Sequence, residues 1–341
     1  MTELSTRDLA VRVLRQQRTA MMAMLGEALD AYKSPVDSSP RSADDDWINT
    51  QPRVRREALN GILGLATEQV AELLRVADEH AVALEVLLKA DEVLPIPMTT
   101  LVRSIHEAFI GVCWSVDPTL TCEQRMTRSA AGTLASSQGN LGPLRQLQNP
   151  PAAHVVQVEQ AVQGMQDYLE KHGFKLNYDK QTSKMATSVA YGTSRAALKL
   201  NVTEASLRYM PGSHHMWSLG SGATHSRNWF TAGLAGSRSQ LTIMVTAPLL
   251  DFADALVDNV SDYVGLDTQQ FHQKAHLRRR MLLARNDGKQ LGSVTLGYAD
   301  YAADRDKALM APGSAPPSTP RPARAGVERI RECGQPRWVA P

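Results

Sequence analysis

The chain has 341 residues, 43% of them apolar and 5% aromatic, with 37 Lys and Arg against 35 Asp and Glu. A net charge of +2 argues against a whole-molecule electrostatic grip on nucleic acid or an anionic membrane, while leaving room for a local basic face. The apolar content is carried by Ala, Leu, Val and Met, which favours helices over a sandwich or barrel.

The first helix is expected over residues 6–32. Ser5 and Asp8 resemble a capping box, and Leu9, Val13, Met21, Met24, Leu25 and Leu29 form its stripe. Residues 33–50, with two Ser-Pro pairs and Asp44-Asp45-Asp46, read as an exposed loop. A helix-period pattern then runs from Pro52 to Leu94, with Gly61 and Gly64 marking a close crossing or a break. A helix over 98–116 is apolar enough to be central, so Arg103, His106, Glu107 and Trp114 within it need partners. Thr121 and Gln124 resemble a second capping box, opening a helix that carries Arg125 and Arg128.

Residues 141–151 read as loop, and 152–172 as a helix closed by Gly173. Residues 174–178 read as a short strand or extended loop, with 179–191 left unassigned. Helices are expected over 193–200 and over 203–210, the latter capped by Thr203 and broken by Pro211-Gly212. Residues 213–229 continue as a helix despite Gly220 and Gly222, and two further helices cover 241–264 and 267–285. From Pro312 the sequence is rich in Pro, Ala, Ser and Arg, the composition of a disordered basic tail. The expected fold is all-α: a bundle of long antiparallel helices with residues 1–95 packed on a core of 96–290, and an irregular tail over 291–341.

Cys113, Cys122 and Cys333 show neither CxxC nor zinc spacing. No GxGxxG, GxxxxGK[ST], GxSxG or HExxH motif is present. His272 and His276, four apart among arginines and a lysine, read as a solvated face. No metal and no cofactor is therefore expected. The start of the chain lacks the basic and apolar regions of a signal peptide, and no run of about 18 apolar residues marks a membrane span. A soluble, cytoplasmic protein with no membrane partner is the expectation.

Arg103 and Glu107 lie four apart on one helix face, as an internal ion pair or as part of a polar pocket. Arg125 and Arg128, three apart, can face a phosphate or solvent. Trp217, Ser221 and His225 form one helical ridge, in which serine and histidine suggest a nucleophile and base, or His225 a general base acting alone. The alternative is a buried histidine bonded to serine or a carbonyl. The helices over 98–116 and 213–229 should face one another, bringing Arg103, Glu107, Ser221 and His225 into one cluster.

The run Arg103-x-x-x-Glu107, Trp114-x-x-Asp117-Pro118, Arg125-x-x-Arg128 and later Trp217-x-x-x-Ser221-x-x-x-His225 resembles a group of bacterial, largely actinobacterial, helical proteins. That group usually has tyrosine where Trp217 stands and glycine where Ser226 stands. It is similar to the HEPN superfamily of helical domains, which includes metal-independent RNases and toxins that pair an arginine and a histidine four to six residues apart. Arg208 and His214 have this spacing, but Pro211-Gly212 interrupts their shared face, so His225 is the better counterpart. The resemblance covers roughly residues 96–264.

Two functions are compatible with these residues. The first is a helical module that binds a ligand, a protein partner or RNA, with the polar cluster serving as structure; long amphipathic helices also permit a homodimer. The second, implied by the resemblance, is a HEPN-like RNase or toxin. It would use His225 as base, Arg103 with Glu107 and Ser221 beside it, and Arg125, Arg128 and Arg208 as phosphate- or RNA-binding groups.

Overall fold

The computed structural model describes residues 5–179, 185–225, 227 and 238–284. The expected basic tail, and the end of the helix expected over 213–229, lie outside them. The fold is predominantly helical, as composition and periodicity indicate.

Helix α1 (Thr6–Lys33) starts at Ser5, whose side chain accepts the Asp8 backbone N–H. Helix α3 (Arg53–Lys89) is unbroken over 37 residues, or about 55 Å at about 1.5 Å per residue. The two run antiparallel. Arg15 bonds Glu85 at 3.1 Å, Arg18 pairs with Asp78, and the Tyr32 and Thr67 hydroxyls lie 3.0 Å apart, so partners descend along α3 as α1 advances. Gly61 does mark a close crossing: a Cβ there would lie 3.1 Å from the Tyr168 hydroxyl. At Gly64 a Cβ would meet nothing within 4 Å.

The expected loop over 33–50 is corrected by helix α2 (Pro40–Asn49). Ser39-Pro40 acts here as a start signal. Ser39 caps the Ser42 N–H, and proline suits the first turn, where its missing N–H costs nothing. Asp44, within the triplet expected at the surface, is fully buried.

Helix α4 (Pro95–Ser115) is central, with buried residues all along it. Asp117 comes next, and then the capping box at Thr121 and Gln124 is made in both directions, at 3.3 and 3.0 Å, opening α5 (Cys122–Gly139). A short helix α6 (Leu141–Gln146) occupies part of the expected loop and precedes α7 (Ala152–Lys171).

The helix expected over 193–200 is corrected to sheet. Strands β1 (Lys175–Tyr178), β2 (Ala186–Tyr191) and β3 (Ser194–Ala197) form an antiparallel meander, with Leu176 opposite Val189 and Ala190 opposite Arg195. Gly192, at φ +55, turns β2 into β3, a conformation that favours glycine. The sheet buries Ala186, Val189 and Tyr191 against Met126, Ala130 and Leu134 of α5, and this burial overrides the helix propensity of the Arg-Ala-Ala-Leu run.

Helix α8 (Val202–Tyr209) is capped by Asn201, not Thr203. A 3-10 turn (Pro211–Ser213) leads into α9 (His215–Thr224). Helices α10 (Arg238–Val264) and α11 (Gln269–Ala284) complete the described fold. The stretch Gln240–Val264 is long and apolar enough to cross a membrane, but 78% of its most apolar window is buried inside this fold. The described residues all belong to one compact unit. Its main apolar cluster joins Leu14 and Met21 of α1, Leu84 of α3, Ile105 and Phe109 of α4, and Phe252 of α10.

Candidate functional site

Helix α4 packs on α9, as expected for the helices over 98–116 and 213–229, and also on α8. Arg103 donates from Nε to Glu107 Oε1 at 2.6 Å, and the same oxygen accepts the Trp217 indole N–H at 3.2 Å. The guanidinium lies 5.4 Å from the centre of the Trp217 ring. Gly220 makes this crossing possible, because a Cβ there would overlap the Arg103 side chain. Arg103, Glu107 and Trp217 are thus brought together. Ser221 is half-buried on α9, and His225 is exposed at its C-terminus, where its backbone N–H bonds Ser221 O at 3.0 Å.

Asp117, named in the sequence only within the Trp114-x-x-Asp117-Pro118 motif, is the hub of a polar seam between α4, α5 and α8. Only 1% of its side chain is exposed. It accepts from Arg208 at 2.7 Å, from Tyr209 at 2.8 Å and from the Thr119 hydroxyl at 2.7 Å, and Arg128 approaches to 3.5 Å. Burial alone would raise its carboxyl; the Thr119 and Tyr209 hydrogen bonds and the Arg208 charge outweigh burial and hold it below the usual carboxylate range. Arg128 also donates to Trp114 O and to the Tyr209 hydroxyl, both at 2.9 Å, and stacks on Trp114.

Arg125 faces inward. Its Nε and Nη2 grip Asp44 at 2.9 and 2.7 Å, Nη1 donates to the Asp117 and Leu120 carbonyls, and Nη2 also reaches Pro40 O at 3.2 Å. Tyr263 donates to Asp44 Oδ2 at 2.9 Å, and burial, with Asp44 beside it, pushes the Tyr263 hydroxyl well above the ordinary tyrosine range. Arg125 and Asp44 are both essentially enclosed. A fully desolvated pair with every arm engaged is a structural joint between α2, α5 and α10.

His106 is also fully buried, 3.3 Å from the Ser206 hydroxyl through Nε2 and stacked on Phe252 with 4.4 Å between ring centres. Burial holds it down to about 3, with His215 and His214 adding to the depression. His272, expected on a solvated face, is buried instead and pairs with Asp258. Among the described residues no cluster of three or more His, Cys, Asp or Glu could hold a metal ion.

No family model, no curated protein and no solved structure matches this chain. The HEPN resemblance therefore rests on its sequence motifs alone.

The feature that periodicity does not reveal is a cavity of about 440 Å³ between α1, α3 and α10, reaching the end of α4 and the side of α5. Its walls are largely apolar, including Leu25 and Leu29 of α1, Ala66, Val70 and Leu74 of α3, and Val260 of α10. Arg125 and Tyr263 contribute to its lining, so the buried ion pair braces one side of it. Its solvent side carries Met22 and Leu29, 41% and 50% exposed. Gly26 of α1 also lines it, and a Cβ there would meet nothing within 4 Å. Two polar side chains within the apolar wall, Tyr32 and Thr67, bond each other across the α1–α3 gap.

Proposed function

We propose that the protein is a binding module for an apolar small molecule, held in the cavity between α1, α3 and α10, and that the polar seam is structural. The observation that carries this reading is the cavity itself. About 440 Å³ falls within the roughly 300–1,000 Å³ typical of small-molecule sites, and its lining is apolar with few polar groups, as such sites usually are. Water in so apolar a space finds few partners, so a molecule with an apolar body is the favoured occupant.

The seam supports the non-catalytic half of the proposal. Arg125 directs every arm at protein acceptors, Arg128 and Arg208 converge on Asp117, and Arg103 is bonded to Glu107. A metal-independent RNase would instead need an arginine and His225 converging on one phosphate.

The test is titration with N-phenyl-1-naphthylamine, an uncharged dye that fluoresces in apolar surroundings. Wild type should bind one dye per chain, saturably. Ala66→Phe, which enlarges a buried residue of the cavity wall, should keep a cooperative unfolding transition and lose the binding. Equal binding by the two proteins, or no saturable binding by wild type, would overturn the proposal.

A further inference from the structure

The charges around the cavity say what kind of molecule it accepts, and this inference rests on the cavity being a binding site. Thr67, Ser115 and Ser129 bring only uncharged hydroxyls to its lining. The charged side chains that line it, among the described residues, are Arg75, Asp78 and Arg125. Arg125 is enclosed, with all three of its nitrogens bonded to protein acceptors. Asp78 holds Arg18 through both carboxylate oxygens. Arg75 stands on the solvent side. Glu72 accepts from its Nε at 2.9 Å and from its Nη2 at 2.6 Å, and Glu79 accepts from its Nη1. Arg41, over the Tyr32 ring, pairs with Asp45 and lies outside the lining.

No arginine of the lining is therefore left to receive an anionic group. At the mouth two glutamates hold one arginine, a net charge of −1, and the Arg18–Asp78 pair adds none. Glu68, exposed one turn before Glu72 on α3, puts a further negative charge on the same side. An anion entering here must take Arg75 from its glutamates, so it gains one interaction by losing others. A cation meets carboxylates, which accept from several donors at once. These groups are exposed, so they set a preference between ligands, while burial of the apolar body supplies most of the affinity. We infer that the ligand is a lipophilic amine or similar organic cation, its charge held at the Glu72–Arg75–Glu79 edge of α3 and its apolar body in the cavity.

The experiment uses decylamine, decanol and decanoate as competitors of bound N-phenyl-1-naphthylamine, at neutral pH and low salt, in wild type and in the double variant Glu72→Gln with Glu79→Gln. The three competitors share one chain and differ in the charge of the head. Both substitutions are at exposed positions and leave the apolar wall untouched. Wild type should bind decylamine more tightly than decanoate, and added salt should shrink that ratio. In the double variant, which strips Arg75 of its partners, the ratio should fall roughly tenfold, the scale of a few exposed charge interactions, while decanol binds as it does to wild type. Tighter binding of decanoate by wild type, or an equal ratio in the two proteins, would overturn this inference and leave the cavity reading standing. A double variant that alters decanol binding as much as it alters the ratio would be acting through the fold and not through charge, and would also overturn the inference. Failure of the dye to bind wild type would overturn both.

Discussion

The polar seam and the apolar cavity share a wall, and they differ in how fully their parts are engaged. In the seam each carboxylate is matched, Asp44 by Arg125 and Tyr263, Asp117 by Arg208, Tyr209 and Thr119, Glu107 by Arg103 and Trp217, while Arg103 Nη1 is buried without a hydrogen-bond partner. Around the cavity the wall is largely apolar, and two large apolar residues of α1, Met22 and Leu29, remain exposed. Most residues that look reactive in the sequence hold helices together, and residues that look ordinary frame the space a ligand can enter. Buried polar groups must be satisfied wherever they lie, so their density signals function only when some capacity is left over.

The widest separation between the two regions should appear on breaking the seam. Arg125→Met leaves the buried Asp44 side chain without its main partner, and should cost about 3–5 kcal/mol in urea unfolding. The double change Arg125→Met with Asp44→Leu should cost much less, since no charge is left stranded. A double variant as unstable as the single one would mean that the pair contributes more than mutual neutralisation.

The pH response probes the same contrast more gently. His106 stays neutral in the folded protein down to about pH 3, whereas in the unfolded chain it protonates near the ordinary 6.5. The unfolded state therefore binds the extra proton first, and stability falls as pH drops below about 6.5, continuing toward 3. The slope is about 1.4 kcal/mol per pH unit, so about 2 kcal/mol is lost between pH 7 and pH 5. His106→Gln should lack this component of the pH dependence. Equal pH slopes for both proteins in urea titrations would contradict the buried neutral histidine.

On the cavity side the sign reverses. Gly26→Ala removes a flexible residue from the interior of α1 and meets no neighbour within 4 Å, so it should stabilise the fold by about 0.5–1 kcal/mol. The smallest effect belongs to the residue most conspicuous in the sequence. His225→Ala, exposed at the end of α9, should change stability by less than about 0.5 kcal/mol and leave dye binding unchanged. Incubation with labelled RNA in EDTA should then show the same outcome for His225→Ala as for wild type. Cleavage by wild type that the variant loses would revive the nuclease alternative.

These outcomes bear on what could be read from residues alone. The long helices α1, α3, α4 and α10 were legible because their apolar positions recur at helical spacing and each buries a stripe. The α4–α9 crossing was legible too, since Arg103 and Glu107 on an apolar helix demand partners, and Trp217 supplies one. Helix α2 was hidden because Ser-Pro serves as a breaker or as a cap, depending on whether the residues after it can form a helix. The β-meander was hidden because its short strands are stabilised by packing on α5, not by strong local propensity. Arg125 and Asp44 are 81 residues apart, and no local pattern joins them. The cavity was least legible, since it depends on the registry between α1 and α3, which no local pattern sets.

The most direct test of the central claim is a methyl NMR spectrum of methionine-labelled protein, recorded as N-phenyl-1-naphthylamine is added. Met22 lines the cavity, whereas Met216 of α9 lies buried near the polar seam. Binding in the cavity predicts that the Met22 methyl shifts in step with dye fluorescence while Met216 stays fixed. A shift at Met216 with Met22 unmoved would place the dye at the seam and contradict the account.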